Sequence, residues 1–185
     1  MLILLAVALL AGACSCSALL TAGAKKLAPR LGLLAYPQAD RYHRSVIPLG
    51  GGIAIFGTLA IFIVAAAGVV RFLVAPGHLG QMADRLNIVP ADFLRRCDEL
   101  AVVLICAAIL FAVGLWDDRR PLGPFVKLAV QCLVALLAAT AAEIRVEFFI
   151  DNRIITSAIS ALWIVVIINS FNFLDNMDGA SAGIA

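Results

Sequence analysis

Five long stretches of apolar residues divide the chain, at residues 2–20, 51–70, 100–115, 125–142 and 155–168. A helix needs about 20 mostly apolar residues to cross the hydrocarbon core of a bilayer. The segments between the stretches hold most of the charged side chains. This pattern predicts an all-α, polytopic membrane protein with about five transmembrane helices, forming a single transmembrane domain over residues 1–185.

Three clusters of polar residues fall at the ends of these stretches, at residues 40–52, 114–131 and 169–179. Two predicted spans separate each cluster from the next, so all three clusters are expected on the same side of the membrane. That side carries all three lysines and five of the eleven arginines. Since cytoplasmic loops are enriched in lysine and arginine, the clusters are predicted to face the cytoplasm of a multi-pass cell-membrane protein.

The composition agrees with a lipid environment. Hydrophobic residues make up 63% of the chain, charged residues 14%, and the mean hydropathy is +1.04, whereas soluble domains are roughly 45–50% apolar. The net charge of +2, without a basic tail, gives no indication of a nucleic-acid partner. The five cysteines show neither a disulfide framework nor a metal-binding spacing, so they are interpreted as small apolar core residues.

The clusters bring together side chains suited to phosphate chemistry. The second and third clusters place four carboxylates on this membrane face: Asp117, Asp118, Asp175 and Asp178. They repel one another unless a cation lies among them, and oxygen-rich sets of Asp and Asn suit Mg²⁺, which bridges substrate phosphates. Arg41, His43 and Lys127 can bind phosphate oxygens. This set favours phosphoryl transfer at a membrane surface.

Simpler interpretations exist for single features. Taken alone, the Asp117–Asp118 pair is equally consistent with a solvated loop. His43 alone is consistent with a surface histidine, and Lys127 alone with an anchor at the membrane interface. The third cluster is harder to explain in this way, because its polar residues recur every three positions: Asn169, Asn172, Asp175 and Asp178. On a helix this spacing places the side chains along one face, whereas a helix cap needs only one of them.

Read in order, the clusters resemble the motifs of a known family. The motifs are His43-x-x-x-Ile47-Pro48-Leu49-x-Gly51-Gly52, Gly114-x-x-Asp117-Asp118 with Lys127 and Gln131, and Asn169-x-x-Asn172-x-x-Asp175-x-x-Asp178-Gly179. They resemble those of the polyprenyl-phosphate N-acetylhexosamine-1-phosphate transferases of glycosyltransferase family 4. Members of that family are roughly twice as long, with about ten or eleven spans. The resemblance therefore implies the N-terminal half of such a fold, truncated at the C-terminus and expected to be inactive alone.

The resemblance also implies a reaction and a set of roles. A UDP-N-acetylhexosamine and undecaprenyl phosphate would give a lipid-linked sugar pyrophosphate and UMP, with Mg²⁺, in cell-envelope polysaccharide synthesis. Asp117 and Asp118 match the aspartate pair that orients the lipid phosphate, and together with Asn172 they are expected to bind the metal. Asp175 and Asp178 match aspartates of the nucleotide and catalytic cleft. The residues expected to bind the substrate phosphates are Arg41, His43, Lys127 and Asn169.

Some positions depart from the family's usual pattern, and two other functions are consistent with a polytopic membrane protein. Tyr42, Asn176 and Ala180 differ from residues common in relatives, which leaves the sugar open. A small transporter or channel subunit would carry charges within its spans, whereas here the acids lie at span ends. A membrane scaffold would leave the three same-side clusters unexplained. Homodimer formation is also left open.

Overall fold

The chain is almost entirely helical in the computed structural model, which describes residues 2–35, 47–48, 50–85, 89–142, 145–146 and 151–174. The helices are α1 (Leu2–Leu31), α2 (Gly51–Val69), α3 (Gly80–Arg85), α4 (Pro90–Arg95), α5 (Cys97–Arg119), α6 (Pro124–Ala141) and α7 (Arg153–Leu174). A π-helical turn, Val70–Val74, continues α2. Two short antiparallel strands, β1 (Leu34–Ala35) and β2 (Ile47–Pro48), pair within the connection from α1 to α2. The predicted all-α architecture is confirmed.

Five helical stretches among the described residues are long and apolar enough to cross a membrane: Ile3–Leu31, Gly51–Val74, Pro90–Arg119, Pro124–Ala141 and Arg153–Phe173. The predicted number of spans is therefore confirmed, and the chain is a membrane protein. The predicted bounds were too narrow at the first span, which ends at Leu31, and at the third, which extends on both sides. The backbone hydrogen bonds of a helix do not require apolar side chains, so α1 continues through the exposed Lys25 and Lys26, whose long stems can reach the headgroup region.

Large apolar side chains cover much of the molecular surface. Leu4, Ile55 and Leu133 are 75%, 70% and 69% exposed, and many other leucines and isoleucines are similarly uncovered. An exposed apolar surface of this kind is unfavourable in water, but it costs nothing against acyl chains or further helices. The exposure pattern therefore agrees with a membrane environment.

The chain divides into two compact units, Met1–Cys97 with Phe111–Pro121, and Asp98–Leu110 with Leu122–Ala185. In the first unit α1 packs against α2 through small residues. A Cβ placed on Gly57 would lie 3.1 Å from Leu20 Cδ1, so this position has little room for a side chain. The rings of Phe56 and Phe111 stack with centroids 4.8 Å apart, which joins the C-terminal half of α5 to α2. The single domain predicted over residues 1–185 stays a prediction.

In the second unit α6 and α7 form an antiparallel pair with a tight interface. Small residues dominate the buried positions: Ala135, Ala138, Ala139, Ser157 and Ser160. Small side chains let membrane helices approach closely and gain van der Waals contact. At the start of α7, the Oδ1 of Asn152 accepts hydrogen bonds from the backbone N–H groups of Ile154 and Ile155, at 3.0 and 3.3 Å. Asn152 therefore caps the helix and fixes where it begins.

Candidate functional site

The first polar cluster lies in the connection between α1 and α2. Strands β1 and β2 close the base of this connection, with Leu34 opposite Pro48. At its end, Gly50 has φ 156°, and a Cβ placed there would lie 3.3 Å from the Cβ of Ala24 on α1. This glycine therefore lets the chain pass close to α1. Arg41 and His43, predicted to bind phosphate, lie outside the described residues.

The second cluster begins in the last turn of α5. Asp117 is half-buried and Asp118 is exposed, and both belong to the helix, which ends at Arg119. The aspartates are thus held on a helix end and not in a loop. Carboxylates at a helix C-terminus oppose the macrodipole, at a cost of about 0.3–1 kcal/mol each where exposed. Helix stability therefore does not explain the pair, which favours a functional reason for it.

Arg119 ties this helix end to the end of α1. Its Nε donates a hydrogen bond to the backbone carbonyl of Leu31, at 3.0 Å. Leu31 is the last residue of α1, where carbonyl groups lack partners within the helix. In the first unit, the C-terminal ends of α1 and α5 therefore lie together, and Asp117 and Asp118 lie at that same end.

The remainder of the second cluster lies on α6. Gly123 precedes this helix and Pro124 opens it, a favoured first position because proline has no N–H to satisfy. Lys127 is half-buried in the first turn, and Gln131 follows one turn later on the same face. Gln131 is only 5% exposed, although it is polar and lies in an otherwise apolar helix.

A side-chain hydrogen bond joins the second cluster to the third. The Nδ2 of Asn169 on α7 donates to Oε1 of Gln131, at 2.8 Å, and also to the backbone carbonyl of Val165, at 2.8 Å. Asn172 lies almost one turn further along α7 and is exposed. In the second unit, the start of α6 and the end of α7 are therefore adjacent, and they bring Lys127, Gln131 and Asn169 to one end of the helix pair.

The helical spacing predicted for the third cluster is confirmed for its first two members, since α7 continues to Leu174 and contains both Asn169 and Asn172. Asp175 and Asp178 lie outside the described residues. Magnesium was expected near Asp117, Asp118 and Asn172. Their carboxylate and amide oxygens are the donor type that Mg²⁺ prefers. Among the described residues, no three His, Cys, Asp or Glu side chains come together.

The family model that describes glycosyl transferase family 4 matches residues 100–185. This match contains the aspartate pair, Lys127, Gln131 and both helical asparagines. The family recognised from the ordered motifs is thereby confirmed.

Relatives extend the similarity over most of the chain. A probable undecaprenyl-phosphate N-acetylglucosaminyl 1-phosphate transferase of Bacillus subtilis (strain 168) is 25% identical over 169 residues, 87% of this chain and 40% of the relative. A decaprenyl-phosphate N-acetylglucosaminephosphotransferase of Mycobacterium tuberculosis is 29% identical over 173 residues, 89% of this chain and 38% of the relative. An undecaprenyl-phosphate α-N-acetylglucosaminyl 1-phosphate transferase of Thermotoga maritima is 29% identical over 149 residues, 80% and 38% respectively.

The chain therefore spans about two fifths of the length of the relatives it matches. No solved structure gives a significant match. None of these three relatives is named as a transporter or channel, so the alternative of a channel subunit has no support here.

Within the glycosyl transferase family 4 segment, the sequence-based set of site residues omitted Gln131. Gln131 was noted as part of the second cluster but was given no role. The signal available was an amide side chain four residues after Lys127, inside an apolar helix. A buried amide needs hydrogen-bond partners, so its position indicates a polar neighbour on another helix. Only the structure identifies that neighbour as Asn169.

Proposed function

We propose that the protein transfers a sugar 1-phosphate from a UDP-sugar to undecaprenyl phosphate, and that the sugar is an N-acetylhexosamine. The products are a lipid-linked sugar pyrophosphate and UMP, and the reaction serves cell-envelope polysaccharide synthesis. The observation that carries the proposal is the position of the polar motif residues at the ends of membrane helices in a glycosyl transferase family 4 segment. The names of the relatives supply the acceptor lipid and the sugar phosphate.

The location of these residues suits the two substrates. A polyprenyl phosphate keeps its chain in the bilayer and its phosphate at the surface, whereas a UDP-sugar arrives from water. Asp117 and Asp118 end a span in the first unit, and Asn169 and Asn172 are near the end of another in the second unit. Polar groups at span ends can therefore meet a lipid phosphate without crossing the hydrocarbon. We place this end on the cytoplasmic side of the cell membrane, where the lysines are concentrated.

The reaction needs one bond to form and one to break. An oxygen of the lipid phosphate attacks the sugar-bearing phosphorus of the UDP-sugar. The bond from that phosphorus to the bridging oxygen breaks, and UMP leaves with the electron pair. We favour this direct attack over a covalent aspartyl intermediate, because holding the two phosphates in line supplies much of the required acceleration.

Each motif residue has a role in this scheme. Asp117 and Asp118 orient the lipid phosphate, and Asp175 and Asp178 act at the nucleotide and catalytic cleft. Arg41, His43 and Lys127 offset the charge of the substrate phosphates, and Asn169 also contacts substrate. Asn172, Asp117 and Asp118 would hold Mg²⁺, which when bound neutralises phosphate charge.

The proposal is tested with the product of the complete reading frame that contains this chain, purified in detergent. It is mixed with undecaprenyl phosphate, Mg²⁺ and UDP-N-acetylhexosamine labelled in the sugar. We expect label in an organic-extractable, acid-labile product and an equal amount of UMP, both abolished by EDTA and restored by added Mg²⁺. Release of UDP in place of UMP would indicate ordinary glycosyl transfer, and no labelled lipid with any UDP-N-acetylhexosamine would contradict the proposal.

A further inference from the structure

Asn169 was expected to bind substrate phosphate, but its hydrogen bonds indicate another use of the side chain. Its Nδ2 carries two hydrogens and makes two donor contacts, to Val165 O and to Gln131 Oε1, both at 2.8 Å. A phosphate accepts hydrogen bonds and needs a donor. The two donor hydrogens of Asn169 are already engaged, which leaves the carbonyl oxygen Oδ1 as the group available to a ligand.

The orientation of this amide follows from the backbone. A peptide carbonyl can only accept hydrogen bonds, so the atom of Asn169 that faces Val165 O must be the nitrogen and not the oxygen. The same nitrogen faces Gln131, so Gln131 must present its own oxygen there. Gln131 is nearly fully buried, and a reversed amide would bring two N–H groups together inside the helix pair. The carbonyl of Val165 therefore determines the orientation of both side-chain amides, that of Asn169 directly and that of Gln131 through Asn169.

We infer that Gln131 is a positioning residue, which holds Asn169 so that its Oδ1 accepts a hydrogen bond from the sugar nucleotide. This inference rests on the proposed function. The choice of ligand follows from donor chemistry. A polyprenyl phosphate offers almost only acceptor oxygens at neutral pH, whereas a UDP-N-acetylhexosamine carries sugar and ribose hydroxyls and N–H groups. Asn169 is exposed at the end of the helix pair, where such a donor can reach it.

Two substitutions of Asn169 distinguish the acceptor role from a phosphate-donor role. Asn169→Asp keeps an oxygen at the ligand position and replaces the Nδ2 donor with a second oxygen, to which Gln131 can donate by turning its amide, whereas the bond to Val165 O is lost. Asn169→Leu removes both polar atoms. An acceptor role predicts that Asn169→Leu raises KM for the UDP-sugar by about 10-fold or more and Asn169→Asp by less. A phosphate-donor role predicts the reverse order, because a carboxylate repels phosphate. The reverse order would overturn the inference.

Substitutions of Gln131 test whether it positions Asn169. Gln131→Met keeps length and removes the acceptor, whereas Gln131→Glu keeps an acceptor oxygen in either protonation state. We expect KM for the UDP-sugar to rise about 10-fold in Gln131→Met and less than about 3-fold in Gln131→Glu, with KM for undecaprenyl phosphate unchanged in both. The neighbouring Cys132→Ala, at an exposed position of the same helix, is the matched control and should resemble the wild type. Equal defects in the Met and Glu variants would reduce Gln131 to a packing role.

A cation is the other group that could approach Oδ1, and magnesium titration separates it from the sugar nucleotide. If Asn169→Leu raises the Mg²⁺ concentration for half-maximal rate while KM for the UDP-sugar stays constant at saturating Mg²⁺, the assignment to the sugar nucleotide is wrong.

The hydrogen bond between Gln131 and Asn169 can be tested without measuring enzyme activity. A double-mutant cycle of thermal unfolding, using Gln131→Met, Asn169→Leu and the double variant, should be non-additive because the two side chains share one hydrogen bond. Additive losses would overturn the link itself. A wild-type protein that releases no UMP would contradict the proposed function, while this cycle would still decide whether the two residues are paired.

Discussion

Asn169 near the end of α7 donates its Nδ2 to Oε1 of Gln131 near the start of α6, at 2.8 Å. This bond joins residues 38 positions apart in sequence and fixes which faces of the two helices meet. Below it, away from that end, the interface contains mainly alanine and serine, which allow several rotations at similar energy. This polar pair therefore selects one register for the helices that carry Lys127 and Asn172.

The aspartate pair on α5 is expected to be essential for transfer. Asp117→Asn and Asp118→Asn keep side-chain size and remove charge, so we expect normal membrane insertion and a fall in UMP release of about 100-fold or more, typical of positioned charged groups. The rate is measured on the complete gene product with UDP-N-acetylhexosamine and undecaprenyl phosphate. Asp151→Asn, exposed just before α7, is the matched control and should keep its rate. Near wild-type turnover in both test variants would leave the pair as surface charges.

The sidedness of the membrane can be measured with single cysteines. In a background without the five native cysteines, a cysteine at position 117 should react with an impermeant thiol reagent only after the cells are permeabilised. A cysteine at position 151 should react in intact cells, because one span, α6, lies between positions 117 and 151 and places the start of α7 on the opposite face. Labelling at 117 but not at 151 in intact cells would reverse the proposed orientation.

The hydrogen bond from Arg119 to Leu31 should contribute to stability. Arg119→Ala leaves the last carbonyl of α1 without this donor, and we expect a loss of about 1 kcal/mol, the usual size for an exposed hydrogen bond. Thermal unfolding in detergent measures the difference. Arg120→Ala removes the adjacent exposed arginine and should have a smaller effect. Equal losses in the two variants would show that charge, and not the bond to Leu31, is what matters.

The contact between α1 and α2 should be sensitive to size at Gly57. Gly57→Leu places a large side chain where even a Cβ would lie 3.1 Å from Leu20 Cδ1. Overpacking of this kind typically costs about 1–3 kcal/mol, which thermal unfolding in detergent would detect. Gly68→Leu is the matched control on the same helix, because no atom lies within 4 Å of its Cβ position.

A second substitution can restore the packing. Leu20→Ala removes the side chain that the new leucine would displace, so Gly57→Leu combined with Leu20→Ala should recover part of the lost stability. If the double variant is no more stable than Gly57→Leu alone, the close contact between these two positions is not the cause of the loss.

The sequence by itself determined the membrane class, the number of spans and the family. Span length and apolar composition are local properties that can be compared directly with the thickness of a bilayer. Five stretches were predicted, and five are found among the described residues. Strict alternation of sides then relates distant clusters without any knowledge of packing. The ordered motifs, from His43 to Asp178, were also sufficient for the family, because they depend on residue identity and spacing alone.

The sequence predicted the ends of the helices less accurately than their number. Asp117 and Asp118 were equally consistent with a loop, and the structure places them in the last turn of α5. The third span was predicted to begin at residue 100, whereas α5 begins at Cys97 and the short helix α4 precedes it from Pro90. Charged residues mark the edge of the hydrocarbon, but a helix can extend beyond that edge for several turns, so hydropathy underestimates its length.

Only the tertiary structure decided which side chains meet. The bond from Asn169 to Gln131, the donation from Arg119 to Leu31 and the approach of Gly50 to Ala24 each depend on the rotation and axial position of two separate helices. The apolar pattern of a membrane helix specifies these weakly, since lipid and protein are similarly apolar around it. Close packing of small residues and one buried amide select among the remaining arrangements, which is why the sequence could place Asn169 on a helix face but could not identify its partner.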